Sequence, residues 1–419
     1  MRLAIQVTAA LVSSFALAGT ATNASAGGLS VIYSFCQKTN CADGDQPYGG
    51  VMLDASGRFL GTTGFGGKYN GGTVFALSSK GKLHTLRSFC DGTPPSCQSA
   101  EGPFTTPIED TKGDIYGTVY FGGDYGDGAV WELKADKTRK YKLKYLYSLN
   151  GTDGFGPFEL TYAGAGTGGA YDGKSPLYST TIAGGTNNAG IVFSLTPSKT
   201  GSWTLQTLYN FCSVSGCADG GLPHAGVIVD PSGNLLGTAE YYGADNAGVI
   251  YQLSNSGGSW NETVLYTFCS ASGCGDGSGP FAGLARDASG NLYGTTYFGG
   301  AQNDGVVFEL SSTGAYSVLH GFCSETNCTD GSEPAAAVTL DTSGNIFGTT
   351  GRGGDNNFGT MFEISGGAFK RVYSYCAQSG CADGGYPYGT LIFDGTGHII
   401  GTTQYGGAKS LGEIYKLKP

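Results

Sequence analysis

The 419-residue chain carries 75 glycines but only 14 prolines and no three-residue glycine period, which excludes collagen. Its 40% hydrophobic content, with 26 tyrosines and 22 phenylalanines, excludes a disordered chain. A formal net charge of −10, with only 23 Lys+Arg, leaves no phosphate-neutralising surface and predicts no nucleic-acid partner.

The first predicted element is an export signal. Arg2 supplies the positive end, an apolar run extends from Ala4 to Gly19, and Ala24-Ser25-Ala26 forms an A-x-A cleavage site. Residues 1–26 are therefore expected to be removed, leaving one domain over 27–419 that is secreted or periplasmic. A buried N-terminal helix is the alternative. No later stretch approaches the roughly 18 apolar residues of a membrane span.

The 12 cysteines fall in adjacent pairs along the rest of the chain: Cys36/Cys41, Cys90/Cys97, Cys212/Cys217, Cys269/Cys274, Cys323/Cys328 and Cys376/Cys381. Such spacing suits small loop staples in an oxidising compartment and predicts local disulfides. Zinc is the rival use, but there are only 4 histidines and the pairs lie far apart in sequence.

The pairs belong to a repeat. CADGDQPYGG at Cys41–Gly50 returns as CADGGLPHAG at Cys217–Gly226 and as CADGGYPYGT at Cys381–Thr390. Each copy continues through a strand ending in Asp, a glycine turn, a GTT-like segment, GG and G-x-x-F-x-L. The GTT-like segments start at Gly61, Gly117, Ser179, Gly237, Gly294, Gly348 and Gly401, about 53–62 residues apart. The third copy lacks cysteines and carries an insertion at Ala163–Lys174. In the first copy, strand signals lie near Gly50–Asp54, Arg58–Thr63, Thr73–Leu77 and Leu83–Phe89, separated by turn residues.

Four short strands in each of seven copies predict an all-β, seven-bladed β-propeller with antiparallel blades. A β-helix is the alternative fold, but its coils are usually shorter and lack paired hairpin turns. Leu29–Phe35 has the phase of a fourth strand, and Gly412–Lys418 that of a third. The N-terminal strand is therefore expected to complete the last blade and close a monomeric ring.

GNLYGTTYFGG at Gly290–Gly300, GNIFGTT at Gly344–Thr350 and GTVFAL at Gly72–Leu77 resemble the GloVer tandem-repeat family of secreted bacterial proteins. The resemblance spans essentially all of the predicted mature chain. It implies a propeller-like extracellular domain and no defined chemistry.

Strand alternation puts the disulfide crossing loops and the GTTxxGG loops on one face. The second variable position of GTTxxGG reads Phe65, Phe121, Ala183, Tyr241, Phe298, Arg352 and Tyr405. Five aromatics in this series predict a broken ring of platforms, with Arg352 as a charged departure; packing between blades is the structural alternative.

Two sets of aspartates recur. Asp54, Asp110, Asp230, Asp287, Asp341 and Asp394 precede the first turn, where an Asx turn is expected. Asp43, Asp153, Asp219, Asp276, Asp330 and Asp383 precede glycine in the crossing loop. Turn formation explains these too; a structural calcium is the alternative, and no other cofactor is called for.

Catalytic candidates are His224, where other copies have Tyr48, Phe104, Phe281, Ala335 or Tyr388, together with Glu240 and Arg286. A lyase would use the Arg against a uronate carboxylate and the His as base. A glycoside hydrolase would use Glu240 with an aspartate. No nucleophile elbow, phosphate loop or zinc-protease motif is present. The preferred reading is a secreted recognition protein whose disulfide-rich face binds an extracellular polysaccharide or protein. The lyase or hydrolase and a structural envelope scaffold are the alternatives.

Overall fold

The computed structural model describes residues 28–90, 101–138 and 140–419. The signal-segment reading, and Cys97 of the Cys90/Cys97 pair, lie outside these residues. The chain forms seven four-stranded antiparallel blades of a β-propeller, one of which carries an extra short strand. Among the described residues, no helix is long and apolar enough to cross a membrane.

The first blade pairs Val51–Leu53, Phe59–Thr63, Thr73–Leu77 and Leu83–Ser88 in sequence order. Its innermost strand is shorter than the glycine-to-aspartate span suggested. Gly50 is pressed against the Thr390 backbone of the neighbouring blade, and Asp54 already belongs to the turn.

The last blade takes only three strands from the C-terminal end, finishing with Glu413–Leu417. Its fourth is Ser30–Ser34, paired antiparallel from Ser30↔Lys416 to Ser34↔Glu413. The Thr402 hydroxyl donates to the Gly49 carbonyl at 2.9 Å across the same seam.

The repeated residues have distinct packing duties. A β-carbon at Gly61 would lie 2.5 Å from Cζ of Phe75, so the glycine of GTT makes room for the aromatic of the next strand. The middle threonine reaches the following blade: Thr62 donates to Thr105 O at 2.8 Å, and Thr238 to Ala282 O at 2.9 Å. The last threonine holds the loop beyond it, as Thr63 does through Phe65 O at 2.9 Å.

Apolar clusters form between neighbouring blades. Leu60 and Val74 of the first blade pack with Ile115, Val119 and Trp131 of the second. Phe35, Val51, Phe75, Ile400 and Ile414 join the last blade to the first. The core is therefore a ring of small cores, and an open seam would expose one of them.

Five local disulfides are present among the described residues: Cys36–Cys41, Cys212–Cys217, Cys269–Cys274, Cys323–Cys328 and Cys376–Cys381. Cys274 does more than close its bridge to Cys269. It closes a 3-10 turn, Ser272–Cys274, in a left-handed backbone conformation with φ of 54°. Its carbonyl accepts from Gly277 N–H and from Gly300 N–H, both at 2.9 Å. Gly300 belongs to the GTTxxGG loop, so the backbone of Cys274 ties the two repeated loops together while its sulfur closes the bridge. Cys217, Cys328 and Cys381 make the same pair of contacts in their blades.

The crossing-loop aspartates hold these loops further. Asp43 accepts from Tyr33 Oη at 2.6 Å and from the Gln37 and Lys38 N–H groups at 2.9 and 3.0 Å. Tyr209, Tyr266 and Tyr373 repeat the contact with Asp219, Asp276 and Asp383. His320 takes the tyrosine's place beside Asp330.

The other set forms Asx turns. Asp341 accepts from Ser343 and Asn345 N–H, both at 2.8 Å. Burial opposes its ionisation, but these donors and the Asn345 amide outweigh that and hold its pKa below the ordinary value. In both sets the carboxylates are occupied by local donors.

Non-reducing peptide mapping is expected to link each cysteine to its neighbour in sequence, Cys90 to Cys97 included. Losing one such short-loop bridge is expected to cost about 2 kcal/mol of stability. A long-range bridge such as Cys36 to Cys376 would refute the scheme.

The third blade departs from its neighbours. Asn150 and Asp153 build a tight turn where the others have a disulfide. An additional strand, Thr161–Tyr162, leads into the insertion, which folds over the end of the ring opposite the disulfide loops. There, buried Tyr171 bridges to Asp110 of the second blade, and its carbonyl accepts from Thr111 N–H at 3.0 Å.

Candidate ligand-binding face

Backbone pairing joins the two repeated loop types. Asp45 bridges Phe65, Glu101 bridges Phe121, Gly221 bridges Tyr241, Ser278 bridges Phe298, Ser332 bridges Arg352 and Gly385 bridges Tyr405. Each bridge holds the second variable residue of GTTxxGG at the rim. Phe65, Phe121, Tyr241 and Phe298 are 37–42% exposed, too open for core residues and too buried for free side chains. Tyr405 is half-buried and stacks on Phe358 with centroids 5.5 Å apart. Arg352 is exposed.

In the third blade Ala183 leaves a gap at this position. Its bridge partner is Phe155, so the aromatic lies on the opposite side of the same pair. Phe155 meets Tyr120 and Phe121 at 5.5 and 6.0 Å. The outer ring thus has six aromatics and Arg352.

A second ring lies inside it. Tyr48, Phe104, Phe158, His224, Phe281, Ala335 and Tyr388 occupy equivalent places before the innermost strands and are all half-buried. Tyr48 meets Phe104 at 5.0 Å, Phe158 meets His224 at 5.7 Å, and His224 stacks on Phe281 at 4.6 Å. Tyr120 links Phe104 to Phe158, with centroids 6.0 and 6.2 Å away. Ala335 interrupts the belt.

Polar groups are set among these rings. Tyr297 Oη donates to Glu333 at 2.7 Å, and Arg352 Nε pairs with the same carboxylate at 2.9 Å. The Arg352 guanidinium also lies over the Tyr386 ring at 5.9 Å. The Gln404 amide contacts Gln46 and Tyr48.

Burial, against the opposing pull of Arg352, pushes the Tyr388 phenol up to about 12. Burial and then Glu333 raise Tyr297 as well. Both phenols therefore remain hydrogen-bond donors at neutral pH. Burial and the neighbouring Asp43 push Asp45 up to about 6.

The structure brings two of the three catalytic candidates together. His224 Nδ1 is in direct contact with Glu240 Oε2, whose residue is 5% exposed. Tyr241 lies beside the same carboxylate. Arg286 is elsewhere: it ends the innermost strand Ala285–Arg286 at the turn on the opposite face, where Nη1 reaches Asp287 O at 3.5 Å.

Sequence reasoning left out Phe155, Phe158, Glu159, Tyr297 and Glu333. A signal existed for Tyr297. Successive residues of an extended segment point to opposite sides, so the first variable position of GTTxxGG turns towards the channel as the second turns outwards. That first series includes Tyr120, Glu240, Tyr297 and Gln404.

Among solved structures, one assigned to the gluconolactonases is 11% identical, with 93% of this chain and 91% of that chain covered and a TM-score of 0.42. A Dyadobacter fermentans protein of unknown function is also 11% identical, with coverages of 74% and 92% and a TM-score of 0.40. A puromycin hydrolase S511A mutant complexed with PGG is 10% identical, with coverages of 89% and 60% and a TM-score of 0.42. No curated protein matches the chain in sequence. The Gloeobacter/Verrucomicrobia repeat matches residues 103–328, more than half of the chain, and the chain belongs to that repeat family.

Proposed function

We propose that this is an exported, monomeric recognition protein whose disulfide-loop face binds an extracellular glycan. The observation that carries the reading is the double aromatic ring, half-exposed, with phenols, carboxylates, an amide and one guanidinium set among the platforms. Aromatic faces stack on the C–H faces of sugar rings while the polar groups between them satisfy hydroxyls. A flat apolar interface would have less use for buried donors held in fixed positions. The disulfide loops and the interblade threonine bonds hold the platforms in place before a ligand arrives, which lowers the entropy cost of binding.

Replacing both Tyr241 and Tyr405 with Ala is expected to weaken retention on a matching polysaccharide by about 1–3 kcal/mol in total. Affinity electrophoresis over a panel of neutral and acidic polysaccharides reads this directly. Unchanged retention in a double variant that melts like the parent would remove the aromatic face from the account. Capture of a protein, with no retention on any polysaccharide, would favour a protein ligand.

A further inference from the structure

The inner ring is aromatic or apolar in every blade except at one place. His224 replaces the ring residue of the fourth blade, and Glu240 takes the channel-facing position after its GTT-like segment. The two departures meet: Nδ1 of the imidazole is buried against the carboxylate, while Phe281 stacks on the ring and Phe158 abuts it. Nε2 has no partner among the described residues and, unlike Nδ1, is not buried. A carboxylate that holds one imidazole nitrogen fixes the tautomer and leaves the other nitrogen free to accept a proton.

We propose that His224 is a general base, positioned by Glu240, that hydrolyses an acyl ester carried by the glycan; this rests on the glycan-binding reading above. Nε2 removes a proton from a water molecule as the water oxygen bonds to the ester carbonyl carbon. The tetrahedral intermediate collapses with cleavage of the carbon–oxygen bond to the sugar, and the imidazolium returns its proton to the departing sugar alkoxide. Water is the co-reactant, and the products are a carboxylic acid and a free hydroxyl.

The engagement of Glu240 with His224, and the positions of Arg352 and Arg286, favour this reaction over glycoside hydrolysis by Glu240 and over uronate elimination by either arginine. Two-carboxylate glycoside hydrolysis needs both carboxylates at the scissile bond. Here Glu240 is engaged with His224, and Glu333 with Arg352 and Tyr297. Uronate elimination needs a cation for the substrate carboxylate. Arg352 is already paired, and Arg286 lies at the opposite face.

The titratable groups around this pair are Glu240, in contact with the imidazole, Tyr241, beside the Glu240 carboxylate, and Glu159 of the third blade, whose carboxylate lies on the Gly226 backbone. Burial raises the pKa of Glu159, although Gly226 N–H donates to its carboxylate at 3.3 Å. Tyr297 lies beyond Phe281, with ring centroids 6.0 Å apart.

The test measures acetate release from acetylated xylan and p-nitrophenol release from p-nitrophenyl acetate across a pH series. The mature protein is expected to hydrolyse both, at a rate that rises with pH across the series. His224→Ala is expected to slow release at least about 100-fold. His398→Ala, on the opposite face, should leave the rate unchanged. Glu240→Gln is expected to lower kcat and shift the pH profile, and Glu240→Asp to restore part of both; a merely structural role would not move the profile.

Retention of acetylated xylan with no release beyond that of a folded His224→Ala variant overturns this inference and leaves the binding reading standing. Neither retention nor release overturns both. Release that His224→Ala does not diminish overturns the assignment of the base.

Discussion

Removing residues up to and including Phe35 is expected to abolish cooperative folding of the ring. The deletion takes away Ser30–Ser34, leaves Glu413–Leu417 as an unpaired edge, and empties the place of a fully buried phenylalanine. Burying one such ring contributes about 1.5–3 kcal/mol, and each strand hydrogen bond about 1 kcal/mol net. Ile32 and Tyr33 add to the same interblade cluster. The sum is comparable to the roughly 5–15 kcal/mol stability of a typical domain. Thermal melts and gel filtration should therefore find an expanded or aggregated species. Adding a peptide of residues 28–37 should recover part of the folded signal if pairing is what was lost. A truncated chain that melts with the parent's midpoint and cooperativity would show that the seam is not closed by this strand.

Glu413→Thr is expected to stabilise the protein, more so as pH rises. Glu413 is fully buried at the start of the last C-terminal strand, and neither carboxylate oxygen has a hydrogen-bond partner among the described residues. Thr403 Oγ1 opposite it is equally without one. At the same register Thr63 bonds Thr73, and Thr350 bonds Thr360, each at 2.9 Å. Threonine at 413 would restore that pair.

Burial, then the charge of Asp383, pushes Glu413 from its ordinary 4.5 up to about 9. Below the ordinary value the carboxyl is neutral in both folded and unfolded chains, and it contributes no pH dependence. Between the two values the unfolded chain ionises and the folded one does not, so the unfolded state gains about 1.4 kcal/mol per pH unit. The variant lacks this handicap. It should exceed the parent by on the order of 2–4 kcal/mol near neutral pH, and by much less at pH 4. Denaturant midpoints at both pH values measure the difference. A gain of equal size at both would mean that packing, rather than ionisation, sets the effect.

The fold was legible because its determinants are local and repeated. Each GTT-like segment places a strand, and the phase at which the chain starts and stops specifies the closing pair. Five of the six cysteine pairings are observed as their spacing suggested, since a bridge across so short a loop needs no information from other blades. The second contact of Cys274, to Gly300, was not legible, because it joins loops that lie far apart along the repeat. The aspartates before the turns could be read from the residues that follow them.

The rings on the binding face depended on contacts between blades. Ala183 reads as a missing aromatic until pairing sets Phe155 opposite it. His224 and Glu240 stand far apart along the fourth repeat and meet because the Gly221↔Tyr241 bridge folds the two loops together. Arg286 lies in the same strand system as other inner residues, but at the wrong end, since a strand carries its two termini to opposite faces. Glu413 looks like an ordinary edge residue in the chain; the N-terminal strand that covers it comes from the far end of the sequence. Local pattern specifies backbone conformation, because hydrogen bonding and side-chain alternation act within a few residues. Side-chain chemistry at the channel mouth is assembled from neighbouring blades, and only closure of the ring brings those groups within reach of one another.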